Sequence, residues 1–71
     1  MRDKRRQALA LRAITVSGRA AISKARTPEE IGAITDRMEV LLADLESALQ
    51  RGGGDEQTLA TIERERRRLH G

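Results

Sequence analysis

Arginine recurs at every seventh position near the start of the chain, at Arg5, Arg12, Arg19 and Arg26. A guanidinium is always charged and presents a rigid fork of donors that matches phosphate or carboxylate. Arg2, Lys4 and Arg6 crowd around the first of these residues, and Arg64, Arg67 and Arg68 gather near the other end. The chemistry such residues can do is anion binding, and the ten together are the candidate surface for an anionic partner. The chain has no aromatic side chain to stack on an unpaired base. Few Asn or Gln residues lie near the stripe to read base edges. A nucleic acid, slightly favoured as partner, would therefore be held by its phosphates, with strong salt dependence. An acidic helix of another protein suits the same two-turn spacing. The plainest alternative is a solvated edge that keeps an otherwise apolar helix soluble.

Other chemistry finds little support. There are no cysteines and a single histidine, His70, next to the chain end. That excludes a thiol nucleophile and a Cys-type zinc site. Ser17 and Ser23 have no histidine in plausible reach. Glu63 and Arg67 stand four apart, the spacing of an ordinary helical surface pair. Gly52-Gly53-Gly54-Asp55 lacks the Lys-Ser/Thr and the preceding strand of a phosphate loop. We expect no enzyme activity, no cofactor, no metal and no small-molecule substrate.

An arginine row needs a helix to carry it. Seven residues make almost two turns, so the row drifts only about 20° per step and its members stand roughly 10 Å apart along the axis. The first helix is expected over about residues 3–26. Thr15-Val16-Ser17-Gly18 is its weak centre, since Gly alone costs about 1 kcal/mol there, and a kink is a natural expectation. Thr27-Pro28-Glu29-Glu30 begins a second helix over about 28–51. Thr27 and Glu30 can satisfy each other's backbone N–H groups, and proline loses nothing at the first helical position. The glycines at 52–54 form a joint. Asp55 is placed to cap a short basic helix over 55–71.

Apolar spacing then assigns the packing. Ile31, Ile34, Met38, Leu41, Leu45 and then Ala48 and Leu49 fall at alternating three- and four-residue steps, the pattern of a coiled-coil-like seam, which Leu42 widens. The first helix carries one stripe through Leu11, Ile14, Gly18 and Ile22, and another through Leu9, Ala13, Val16 and Ala20. The small Gly18 permits close approach of a neighbour. In the third helix Leu59, Ile62 and Leu69 share a face with Arg66, whose charge must snorkel from it.

Charge is segregated along the chain. Residues 1–26 hold eight basic and one acidic residue, 27–50 one and six, and 51–71 five and four, for net charges of +7, −5 and +1. The first two segments should therefore attract one another. At 71 residues without disulfides or aromatics, burial and chain entropy nearly balance, so a second copy is an expected source of stability. The expected architecture is all-α: an antiparallel helical hairpin plus a short third helix, dimerising into a helical bundle. The third helix either docks on a partner or folds back over the Leu9–Ala20 stripe. Apolar runs are too short and too charged for a membrane span. A cytoplasmic location fits the lack of cysteine. The expected function is a small non-enzymatic interaction or regulatory protein whose arginine surface engages an anionic partner. The alternative is a protein-binding adaptor or assembly factor with the third helix as its docking element.

Overall fold

The computed structural model describes residues 4–70. The fold is all-helical: 91% of the described residues lie in three helices, and no strand occurs among them. They are α1, Lys4–Lys24; α2, Pro28–Gly52; and α3, Glu56–His70.

Local chemistry sets the boundaries. The Glu30 N–H donates to Thr27 Oγ1 at 3.2 Å, and the Thr27 N–H donates back to Glu30 Oε1 at 3.1 Å. The Arg26 N–H donates to the same carboxylate oxygen at 2.9 Å. Three groups left over at a helix start are thus satisfied before α2 makes its first turn. At the far end Gly53 takes the left-handed conformation, φ 76°, and its N–H donates to the Leu49 carbonyl. Gly54 donates to that carbonyl too, at 2.6 Å. A Cβ on Gly54 would stand 2.5 Å from Leu49 Cβ, so the chain turns tightly against α2. Asp55 then caps α3, its Oδ2 accepting from the Thr58 N–H at 3.0 Å and from Thr58 Oγ1 at 3.2 Å.

The expected weak centre of α1 is helical throughout. Its glycine is buried, and the space a Cβ would need is taken by Met38, whose Sδ would be 2.3 Å away. Close packing against α2 offsets the poor helix propensity there.

The core draws on all three helices. Leu42 and Ile62 have no exposed surface, and Leu11 packs with them. Met38 of α2 is buried against Gly18. Ile14, Leu45, Leu49 and Leu69 are half-buried around the Leu11–Leu42–Ile62 centre, and Ile22 and Ile34 are half-buried as well. Removing Leu42 or Ile62 from water contributes about 1.5–3 kcal/mol each.

Two seam residues lie elsewhere than their spacing implied. Ile31 and Leu41 are at the surface, 41% and 37% exposed. The reason is where α3 sits. It packs on the Glu39–Leu42–Glu46 side of α2, which moves the buried centre from Leu41 to Leu42. For the same reason α3 does not cover the second stripe of α1. Leu9 and Val16 remain 59% and 53% exposed.

Candidate anionic-partner surface

Arg12 of the arginine row lines a cleft between α1 and α3, and Arg19 reaches it through Glu65. Lys4, Ala8, Arg12 and Thr15 form the α1 wall; Asp55, Gln57, Thr61 and Glu65 form the α3 wall; the volume is about 420 Å³. Helical geometry explains why: residues 4, 8, 12, 15 and 19 lie on one side of the line through buried Leu11, and α3 lies along that side.

Two ion pairs cross this cleft. Lys4 Nζ is 3.7 Å from Asp55 Oδ1, and Arg19 Nη2 is 3.6 Å from Glu65 Oε1. Arg68 of α3 also reaches Glu65, at 3.5 Å from Oε2. One carboxylate therefore serves two guanidinium groups. Arg12, on the cleft wall, makes no ion pair with any described residue, and its carbonyl accepts from Thr15 Oγ1 at 3.2 Å. The side chains of Lys4, Arg19 and Arg68 stay largely exposed while Asp55 and Glu65 are mostly covered, so the cations keep a solvent-facing side open to an incoming anion.

The other candidate residues are distributed more widely. Arg5 and Arg6 are exposed on the first turns of α1, and each makes an interaction of its own. Arg26 lies past the end of α1, beside the α2 cap. Arg64 is exposed on α3. Arg67 pairs with Glu63 one turn earlier. Arg2 lies outside the described residues. The structure thus brings Lys4, Arg12, Arg19 and Arg68 around one cleft and leaves Arg26, Arg64 and Arg67 apart from it.

A second polar cluster, on the α2–α3 side, takes up two acidic residues of α2. Arg66 donates from Nε to Glu39 Oε1 at 2.6 Å and from Nη1 to Glu46 Oε1 at 2.5 Å. His70 Nε2 lies 2.8 Å from Glu39 Oε2. Burial works against the charged form of Glu39, but the hydrogen bonds and charges of Arg66 and His70 outweigh it and hold the carboxyl below its usual range. The hydrogen bond that Arg66 donates to Glu39 pushes its guanidinium up, against the effect of burial. At Glu30 the backbone N–H of Arg26 leads the causes that lower the carboxyl, over a smaller opposing effect of burial.

Sequence spacing placed Arg66 on the apolar face of α3, which was the signal for this cluster. Gln7 carried no such signal. It is 6% exposed, and its Oε1 accepts from the Asp55 N–H at 2.8 Å, tying the first turn of α1 to the start of α3. Among the described residues no group of three His, Cys, Asp or Glu side chains could hold a metal ion, and no helix is long and apolar enough to cross a membrane.

No protein-family model matches the chain, and no curated protein or solved structure matches it.

Proposed function

We propose that this protein is a small non-enzymatic helical binding protein whose α1–α3 cleft engages an anionic partner, with the phosphates of a nucleic acid as the preferred ligand. The observation that carries this reading is the charge imbalance at the cleft. Arg19 and Arg68 share Glu65 while Arg12 makes no ion pair with a described residue. Two carboxylates of α2, Glu39 and Glu46, are taken by Arg66 of α3, and no ion pair between α1 and α2 forms among the described residues. The α1 edge therefore keeps a positive surplus in a concave, partly polar setting, which favours phosphate.

The packing behind this reading also favours a hairpin of α1 and α2. Gly18 meets Met38 while Leu11, earlier in α1, meets Leu42, later in α2. A two-copy assembly belongs to the same proposal, supported by exposed Leu9, Val16, Val40 and Leu41. Those apolar side chains equally favour the adaptor reading. In that case the docking element is an α1 or α2 face or the outer, arginine side of α3, because the apolar side of α3 is engaged at Ile62.

Replacing Arg12 and Arg19 together with glutamine tests the phosphate reading. Affinity for duplex DNA and RNA should fall by a similar factor for every sequence. The slope of log affinity against log salt should shrink by up to about 0.9 for each phosphate of duplex DNA that the variant no longer neutralises. Lysine at both positions should retain part of the affinity, since charge survives and the fork does not. Unchanged affinity and slope in the glutamine variant would refute the assignment.

A further inference from the structure

The side of the α1–α2 pair away from α3 is apolar and open. Ala13, Ser17 and Ala21 of α1, with Ile34, Met38 and Leu41 of α2, line a groove of about 370 Å³. Small residues make the α1 wall low, and exposed Leu41 stands on the α2 wall. We infer that a second copy of this chain covers this face through a two-fold contact centred near Leu41, with the two α2 helices antiparallel. The inference rests on the two-copy assembly proposed above and adds to it the face and the register.

Charge points to this occupant, because the charges beside the groove are self-complementary. Arg37 stands four residues before Leu41 and Asp44 three residues after it. Being seven apart, they occupy the same edge of α2. Both are exposed, and neither makes an ion pair with a described residue. Antiparallel pairing about a point between residues 40 and 41 sets Arg37 of one copy opposite Asp44 of the other, and the symmetry repeats the pair. An unrelated partner would need its own matching pattern, whereas a second copy carries it already.

Sedimentation equilibrium of the full chain at micromolar concentrations, without nucleic acid, tests the inference. The parent should be a dimer. Arg37→Glu alone and Asp44→Arg alone should each weaken dimerisation about tenfold or more, because each turns two attractive pairs into repulsive ones. The chain carrying both changes should regain most of the parent's affinity, since the pair is restored with its signs exchanged. Leu41→Asp should give a monomer, and the two charge variants, at exposed positions, keep the test decisive if that chain fails to fold. Circular dichroism of every variant checks that helicity is retained. A monomeric parent would overturn the interface and the assembly together. A dimer indifferent to the single charge reversals, or one that the double reversal fails to rescue, would overturn this register and leave the assembly standing.

Discussion

Gln7 shows how much a single polar side chain can matter in a chain with so small a core. Its carbonyl oxygen is the acceptor for the Asp55 N–H, in a part-buried setting where the first turn of α1 meets the start of α3. Gln7→Ala should leave that donor unpaired and cost about 1–3 kcal/mol in a denaturant melt. A loss below about 0.5 kcal/mol would mean that water replaces the glutamine. Nothing in the sequence marks Gln7, because its role depends on a residue 48 positions away. Glu39 makes a different prediction, read through pH. Its carboxyl is lowered in the folded protein from a usual value of 4.5, with burial opposing and Arg66 and His70 prevailing. The folded state therefore binds the proton less readily than the unfolded chain. The stabilisation is fully present above about pH 4.5 and is lost as pH falls through the lowered folded value. In thermal melts the gap between the parent and Glu39→Gln should narrow on acidification below about pH 4.5. A gap that widened in acid would reverse the sign of the linkage.

At the scale of the elements, the start and stop signals were legible and the buried faces only partly so. Thr27-Pro28-Glu29-Glu30 and Gly53 act through neighbours within a few residues, so their chemistry can be read directly from their order. Asp55 as the cap of α3 is equally local. The centre of the α2 seam was not local. Spacing alone allowed Leu41 or Leu42 to face inward, and the choice was made by α3, which brings Ile62 onto Leu42 and Arg66 onto Glu39 and Glu46. Arg66 therefore serves two ends at once, covering the apolar face with its stem and holding two carboxylates of α2 with its head. It follows that α3 is part of the core rather than an appendage. Ile62→Ala should cost about 2–5 kcal/mol, as large-to-small changes in a packed core do. A change within about 0.5 kcal/mol would show that α1 and α2 are stable without it.

For the molecule as a whole, the position of α3 sets the surroundings of Arg12 and Arg19. A seven-residue repeat marks an edge of α1, and that much is visible in the sequence. What lies against the edge is not visible, because it depends on the return path after Gly54. The expected attraction between the basic first segment and the acidic second one gives way to ion pairs that converge on α3: Glu39 and Glu46 with Arg66, Lys4 with Asp55, and Arg19 with Glu65. Glu65 is the carboxylate on the cleft wall that holds Arg19 and Arg68, and under the proposed function it would compete with a phosphate for them. Its removal is the most direct test of the cleft, since most surface substitutions weaken binding or leave it unchanged, and this one should improve it. Duplex DNA titrated into the parent and into Glu65→Gln, at one low and one moderate salt concentration, should show the variant binding more tightly. The gain should be roughly two- to fivefold, the order of one surface ion pair, and larger at low salt. No binding by the parent at low salt, or equal or weaker binding by Glu65→Gln with helicity intact, would contradict the cleft as an anion-binding surface.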